Sequence, residues 1–262
     1  MQQLLLSLEL ARWGRAGKKV RLWWRDDDAA GPDKSLSRLL DLSWKFGVPI
    51  TLAVVPSGDM AGLGALLAHA PAVTVVQHGV DHLNRRSGPQ AGEFPEQWAA
   101  SELKVRLAWG WARMKGLPGA FPAFVPPWND LHPALEGALC DLDYCALSAG
   151  GGPHAGQLPR FDANLDILRW RGGARFRGVS DCLRRLREAM AHRRRTGRWD
   201  EPVGVLTHHL AHDAAAWRFL ETFLEWTSGR PALHWTSFDA MVDNASPMAP
   251  KRAPHWRRVS DL

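Results

Sequence analysis

Residues 20–28, Val-Arg-Leu-Trp-Trp-Arg-Asp-Asp-Asp, form a strongly apolar run that ends on an arginine and three acids. A short apolar run bounded by charged residues is typical of a buried strand. Three adjacent carboxyl groups at its end concentrate negative charge, which is costly unless a cation or a shared proton relieves it. The stretch therefore predicts a buried strand that carries a charged functional site at its carboxyl end.

The rest of the chain alternates strand-like and helix-like segments. Strands are predicted at residues 20–25, 50–55, 73–77, 120–125, 144–146, 166–169, 203–207 and 233–235. Helices are predicted at residues 36–46, 62–69, 98–115, 133–140, 181–194 and 213–227. This alternation implies right-handed crossovers and a mainly parallel sheet. About seven such units favour an α/β fold built as a complete or distorted (β/α) barrel over an open sheet.

Composition is that of a soluble globular protein, with 45% apolar and 23% charged residues. No apolar stretch approaches the length of a membrane span. The first ten residues lack an early positive charge, and Glu9 interrupts their apolar run. We therefore expect an amphipathic helix and a cytoplasmic protein, without a signal peptide. We also expect one catalytic domain over residues 1–244 and a disordered, Pro-rich tail over residues 245–262.

A second chemical motif is a pair of histidines four residues apart. His78 and His82 come directly after the apolar run of residues 73–76, and imidazoles at this spacing can face one metal from a single turn. Together with the acids they predict an Asp-His-His metal site with a second carboxylate beside it. Three protein ligands leave positions open for water and substrate, which is typical of a catalytic site.

Further polar and aromatic side chains also follow predicted strands. Pro127, Trp128 and Asn129 come after the fourth strand, and His208 and His209 come after the seventh. Functional residues of parallel α/β folds gather at the carboxyl ends of the strands. We therefore expect these groups to converge on one rim with the acids and the His pair.

In their order and spacing, these motifs resemble those of the polysaccharide deacetylases, the NodB-homology domains. The resemblance extends over residues 20–235 and implies a NodB-like distorted barrel. It also implies a metal-dependent hydrolase that removes an acetyl or other acyl group from an N- or O-acetylated carbohydrate or glycoconjugate. One divalent transition metal is implied, with zinc first and cobalt, nickel or iron as alternatives.

The resemblance assigns a role to each member of the set. His78, His82 and one aspartate hold the metal, the aspartate before it is the general base, and His208 is the general acid. Within the acids, we favour Asp27 as base and Asp28 as metal ligand, because related sequences show Arg-x-Asp-Asp at this place. The alternative register has Asp26 as base and Asp27 as ligand.

Other positions of the pattern predict supporting residues. Val125 stands where the family carries an arginine against the base, so we expect Arg25 or Asn129 to take over part of that role. Asp166 loosely matches the family's acid that orients the general acid, and Leu206 is expected to line a pocket for the acyl methyl group. The remaining candidates around the site are Asp26, Asn84, Pro127, Trp128 and His209.

Three other functions share parts of this pattern. A hydrolase of a non-sugar amide would use the same fold and site. A non-catalytic relative would bind metal or sugar without turnover, and the missing arginine at Val125 points that way. A nucleic-acid-binding protein would use the arginines of residues 184–198 for phosphate contacts, but an apolar stripe and interleaved acids favour a solvated outer helix there. We therefore expect a small acetylated sugar or glycoconjugate as partner, and no nucleic acid.

Overall fold

Strands and helices alternate along residues 1–70, 72–151 and 156–245, which the computed structural model describes. The strands are β1 (Val20–Ala29), β2 (Ile50–Val54), β3 (Val73–His78), β4 (Ala120–Val125), β5 (Ala146–Leu147), β6 (Leu165–Asp166), β7 (Leu168–Arg169), β8 (Arg175–Phe176), β9 (Val203–Thr207) and β10 (Leu233–Trp235). The helices are α1 (Gln2–Arg15), α2 (Lys34–Phe46), α3 (Met60–Leu67), α4 (Ala100–Met114), α5 (Leu135–Cys140), α6 (Val179–Arg195), α7 (Ala214–Ser228) and α8 (Phe238–Ala245).

Parallel strands form one curved sheet in the order β5-β4-β3-β2-β1-β9-β6, and β10 pairs with the beginning of β1. The seam between β5 and β6 is bridged by an extended segment. Phe161 N donates to the Leu147 carbonyl at 3.0 Å, and the chain then enters β6, which pairs with β9. The sheet therefore curls into a half-barrel, and the predicted α/β fold with a distorted barrel is confirmed.

Apolar cores pack on both faces of the sheet, because strand side chains alternate between the faces. On the outer face, Leu22 and Trp24 of β1 pack among residues of the surrounding helices. On the inner face, Trp23 packs with Val125, Leu206 and Phe238 of α8. This packing on both faces holds β1 in place up to the first of its three acids.

Three features of the fold differ from the prediction. Helix α8 was not predicted, and Ala245, expected to begin a disordered tail, ends this helix. The rest of that tail, residues 246–262, lies outside the described residues. The strand expected at residues 166–169 is divided, because the Asp166 carboxylate accepts a hydrogen bond from Leu168 N at 2.8 Å and turns the chain. Beyond this turn, β7 and β8 form a separate antiparallel hairpin.

The arginines of α6 are largely engaged within the protein. Arg184 and Arg185 pair with Asp181 on the same helix. Arg194 pairs with Glu9 at 2.6 Å and so ties α6 to α1. These ion pairs fit the predicted solvated outer helix. Within the described ranges, no helix is long and apolar enough to cross a membrane.

Candidate active site

A cluster of three potential metal ligands lies where β1 and β3 end. The Asp28 Oδ1 atom is 3.2 Å from Nε2 of His78 and 3.2 Å from Nε2 of His82. The ligand atoms of all three residues lie within 4.8 Å of one another. One carboxylate and two imidazoles form a donor set that suits zinc and the neighbouring transition metals. The residues present therefore fit the metal that the sequence motifs imply.

The orientation of His78 is fixed by its second ring nitrogen. Nδ1 lies 2.9 Å from the Val125 carbonyl oxygen, so it donates its proton there and directs Nε2 at Asp28, as metal-binding histidines commonly do. Burial lowers the pKa of His78, but Asp28 and Asp27 outweigh it, and the pKa is raised overall. Nε2 of His78 and Oδ1 of Asp28 thus face each other at 3.2 Å, and metal binding requires the neutral form of the imidazole.

The electrostatics of Asp28 match this arrangement. Burial alone would raise its pKa, but a hydrogen bond from His78 and the nearby histidine charges hold the pKa of Asp28 well below its ordinary value. The carboxylate is therefore ionised and available as a ligand. His82 differs from His78, because burial and the charge of His78 lower the pKa of His82.

A bulge in β1 brings Asp28 to the histidines. Regular alternation would place Asp26 and Asp28 on the same face of the sheet. The pairing of β1 with β2 shifts register between Asp26 and Ala29, and Asp28 has a left-handed φ of 74°. Such bulges re-aim single side chains, and this one turns Asp28 away from the outer face and toward His78.

Asp27 lies on the inner face, between a cation and His208. Its carboxylate forms an ion pair with Arg25, with Nε–Oδ1 at 2.8 Å and Nη2–Oδ2 at 2.9 Å. Arg25 is fully buried and also donates to Ser148 Oγ at 2.7 Å. His208 Nε2 is 3.8 Å from Asp27 Oδ2. The structure thus places Arg25, rather than Asn129, against the predicted base.

Asp26 belongs to a different network on the outer face. It is fully buried and pairs with the His209 ring, and it accepts hydrogen bonds from Thr207 Oγ1 at 2.6 Å and His209 N at 3.1 Å. His209 Nε2 reaches Asp33 at 3.3 Å. Asp26 therefore faces neither His208 nor the ligand cluster. The geometry places Asp27 beside His208 and Asp28 in the ligand cluster, which is the arrangement of the favoured register.

Asp166 is linked to His208 through Trp170, which contacts both residues. Its second carboxylate oxygen accepts a hydrogen bond from Trp170 Nε1 at 2.7 Å. The Trp170 ring packs edge-on against His208, with ring centroids 4.6 Å apart. Between described residues, no hydrogen bond joins Asp166 to His208, and the geometry offers a link between them through Trp170. Trp170 was not among the predicted site residues, although it lies in the same short motif.

The segment after β4 supports the His pair from the opposite side. Pro127 is buried, whereas Trp128 and Asn129 are exposed and adopt left-handed φ angles of 54° and 56°. This backbone lays the Trp128 ring over His82, with centroids 4.3 Å apart. Asn129 instead lies against Gly150. Of these predicted residues, Trp128 contacts the ligand cluster and Asn129 does not.

Asn84 has a structural role in the loop that follows the His pair. Its side-chain oxygen accepts hydrogen bonds from Arg86 N at 3.1 Å and Gly92 N at 3.0 Å. Both contacts hold the loop of residues 83–97 together. Its side-chain carbonyl thus closes a local turn, and a contact of Asn84 with substrate stays a prediction.

Glu93 is a buried acid that the sequence reasoning missed. Its carboxylate accepts hydrogen bonds from three successive backbone N–H groups, those of Val80 at 2.9 Å, Asp81 at 2.7 Å and His82 at 3.1 Å. Three such bonds fix the turn that carries His82, whose φ is 55°. A Cβ atom at Gly79 would overlap the Glu93 carboxylate. The only local hint in the sequence is an acid beside the apolar Phe94 within a long polar loop.

Leu206 and Val125 line the inner face below the site. Leu206 pairs with Arg25 across β1 and β9, and both apolar residues are buried in the inner core. The next pair is Asp26 with Thr207, so Asp27 and His208 leave the sheet side by side. Leu206 thus packs in the inner core next to the strand ends that carry the proposed base and acid, and its contact with an acyl methyl group stays a prediction.

Comparison with known proteins supports the fold. No family model matches the sequence, and no curated protein matches it. A crystal structure from Mycobacterium smegmatis, assigned to the polysaccharide deacetylases, matches with a TM-score of 0.66 at 14% identity and covers 90% of this chain and 94% of that chain. A family 4 acetyl xylan esterase from Clostridium thermocellum, in complex with a cobalt ion, matches with a TM-score of 0.51 at 14% identity over 86% and 91% of the two chains.

A third match is a family 4 carbohydrate esterase described as a pseudoenzyme, from Bacillus anthracis. Its TM-score is 0.55 at 16% identity, and the match covers 86% of this chain and 66% of that chain. At identities this low, the likeness establishes the fold and leaves the activity to the site. The resemblance to polysaccharide deacetylases read from the motifs is thereby confirmed at the level of the fold.

Proposed function

We propose that this chain is a metal-dependent hydrolase that removes an acetyl group from an N- or O-acetylated carbohydrate or glycoconjugate. The observation that carries the proposal is the convergence of two sets of groups on one rim. Asp28, His78 and His82 form the ligand cluster, and Asp27 and His208 lie together beside it. The fold shared with family 4 carbohydrate esterases gives independent support.

The ligand cluster would hold one divalent transition metal, with zinc first and cobalt, nickel or iron as alternatives. Asp28, His78 and His82 supply its protein ligands. When bound, such a metal polarises an acyl carbonyl group and lowers the pKa of a water molecule. Three protein ligands leave room for both.

The protein's own residues supply the proton transfers. Asp27, oriented by its two contacts with Arg25, accepts a proton from the attacking water as general base. The water oxygen bonds to the acyl carbon, and the bond from that carbon to the sugar nitrogen or oxygen breaks. His208 donates a proton to the leaving amine or alcohol. The products are acetate and the free sugar, and no covalent enzyme intermediate is needed.

Neighbouring groups shape the pocket around the acyl group. Leu206 is our candidate for the contact with the acyl methyl group, because it lies beneath Asp27 and His208 on the inner face. The backbone N–H of Trp128 is our candidate donor to the developing oxyanion. We propose a small or soluble acetylated sugar or glycoconjugate as the substrate.

The test separates metal binding from chemistry by matched variants. We expect about one equivalent of transition metal in the wild type and loss of it in His78→Ala/His82→Ala and in Asp28→Asn. Asp27→Asn should keep the metal and lose turnover on acetylated sugars by on the order of 10²-fold or more. Asp41→Asn, an exposed acid on α2, is the control and should change neither property.

Each other outcome has a defined meaning. A wild type that takes up no Zn²⁺, Co²⁺ or Ni²⁺ contradicts the proposal. Loss of metal in Asp27→Asn with retention in Asp28→Asn supports the alternative register. Metal binding without hydrolysis across a panel of acetamides and acetate esters supports a non-catalytic relative.

A further inference from the structure

The hairpin of β7 and β8 presents an unusual pair of like charges. Its strands pair Leu168 with Phe176 and Arg169 with Arg175. Leu168 is buried in the outer core, and Phe176 packs against it. Arg169 and Arg175 are exposed, directly opposite each other on the other face. Arg171 adds a third exposed guanidinium in the turn, and we call these three residues the arginine hairpin.

No charge within the described structure neutralises this hairpin. Like charges directly opposite each other across two strands are destabilising. In the described residues, the side chains of Arg169, Arg171 and Arg175 have neither an ion pair nor a hydrogen bond. The acids nearest in sequence are engaged elsewhere: Asp166 accepts from Trp170 and Leu168 N, and Asp181 pairs with arginines of α6 and with Arg177. The arrangement is therefore complementary to an anion from outside the protein.

The arginine hairpin adjoins the proposed general acid. Trp170 lies between Arg169 and Arg171 in the chain, and its ring packs on His208 with centroids 4.6 Å apart. The Cα atoms of both arginines are one trans peptide, ~3.8 Å, from that of Trp170. Trp170 is itself held by Asp166. A substrate that has its leaving group at His208 would thus extend past Trp170 onto the arginines.

We propose that the arginine hairpin binds a phosphate group of the substrate, which is an acetylated sugar carrying a phosphate or diphosphate ester. Guanidinium groups bind phosphate oxygens through two parallel hydrogen bonds, and so two opposed arginines match this group in both charge and shape. A neutral polysaccharide would leave the paired charges unrelieved. The inference deepens the proposed function and rests on it for the position of the reacting group.

The test compares acetylated sugars that carry a phosphate group, a carboxylate group or no charge. The probes are N-acetylglucosamine 1-phosphate, its neutral methyl glycoside, and the methyl glycoside of the matching uronic acid. For each, binding is measured by calorimetry and kcat/KM by acetate release, on the metal-loaded protein. We expect the phosphate probe to bind about tenfold more tightly than the neutral one, a preference that weakens at high salt. In Arg169→Ala/Arg175→Ala the ratio of the affinities for the phosphate probe and the neutral probe should fall to about one.

A control double variant tests whether the preference comes from the arginine hairpin or from the total positive charge of the protein. Arg15→Ala/Arg195→Ala removes the same two charges from exposed positions at the ends of α1 and α6, and the phosphate preference should persist there. Equal binding of phosphate and neutral probes by the wild type would overturn the proposal, as would a preference retained in Arg169→Ala/Arg175→Ala. A greater preference for the uronic acid, lost in that variant, would overturn the assignment of phosphate. Because binding is read independently of turnover, a phosphate preference without hydrolysis of any probe would support the phosphate site and count against N-deacetylation of these sugars, so the two proposals can fail separately.

Discussion

Arg25 and Asp27, two residues apart on one strand, form a two-point ion pair inside the half-barrel, with contacts of 2.8 and 2.9 Å. Alternate residues of a strand share a face, and so the guanidinium reaches the carboxylate without help from another element. The sequence motifs place the corresponding family arginine at position 125, where Val125 is packed in the inner core. The positive charge next to the proposed base thus comes from β1 instead of β4.

Arg25→Ala should lower kcat by on the order of 10²-fold, because Asp27 loses the group that orients it. Metal content should stay near that of the wild type, since Arg25 contacts none of the three ligands. The buried Asp27 charge would be left without a partner, which costs about 3–5 kcal/mol of stability. Turnover on an acetylated sugar, metal analysis and urea unfolding measure the three effects.

Arg25→Lys is the matched control for folding, because it keeps the charge but cannot make the two-point contact. It should recover most of the lost stability and only part of the lost turnover. Full turnover in Arg25→Ala would show that the ion pair does not serve catalysis.

Glu93→Gln should weaken metal binding although Glu93 touches no ligand atom. The Glu93 carboxylate holds three consecutive N–H groups, including that of His82, and an amide is a weaker acceptor for them. Loss of such supporting contacts typically costs 10- to 100-fold in metal affinity. Zinc titration against a competing chelator measures the change.

Glu96→Gln in the same loop is the control for Glu93→Gln. Its side chain is 73% exposed and contacts Arg86, and so zinc affinity should not change. An unchanged zinc affinity in folded Glu93→Gln would mean that the turn holds its shape without the carboxylate.

The sequence predicts the large elements of this fold because their signals are local. Buried strands appear as apolar runs, and the long helices repeat their apolar positions every three to four residues. The ends of the apolar runs mark the carboxyl ends of β1, β3, β4 and β9. The residues that come directly after them are the candidate site residues. His78, His82 and His208 could therefore be placed on one rim from sequence alone.

The finer features depend on contacts between distant parts of the chain. Alternation along β1 puts Asp26 and Asp28 on one face, and only the bulge in the pairing with β2 separates them. The register of the acids is therefore decided by tertiary structure. Glu93 lies 11 residues beyond His82, and no periodic pattern links a loop acid to the turn that it supports. The turn at Asp166 likewise arises from its own side chain, which closes onto Leu168 N.

Trp170→Phe should lower kcat about tenfold with a smaller effect on KM for a neutral sugar. The phenyl ring can keep contact with His208, but the hydrogen bond to Asp166 is lost, and that carboxylate loses a partner. Burial already raises the pKa of Asp166, and so removal of the donor favours its neutral form. Trp170→Ala should reduce kcat further, because the His208 ring then loses its packing as well. Equal kcat values for wild type and both variants would exclude this indirect orientation.

His209 should make stability depend on pH from about 6.5 upward. Burial lowers the pKa of His209, but the charges and hydrogen bonds of Asp26 and Asp33 outweigh burial, and the pKa is raised overall. In the unfolded chain, histidine titrates near 6.5. The folded protein therefore binds the proton more tightly than the unfolded chain. Its stabilising contribution is complete below about pH 6.5 and is lost as pH rises through the raised pKa of His209.

The free energy of unfolding of the wild type should accordingly decrease from about pH 6.5 upward, and His209→Gln should have a flatter profile over the same range. At pH 6 this variant should be less stable by about 1–3 kcal/mol, because the buried Asp26 carboxylate loses a charged partner. Urea unfolding measures the pH profiles and the stability difference at pH 6. A chelator is present because metal binding would add a pH dependence of its own. His69→Gln, at an exposed position after α3, should follow the wild type. If the two variants have parallel profiles, the Asp26–His209–Asp33 network does not hold the proton that the structure assigns to it.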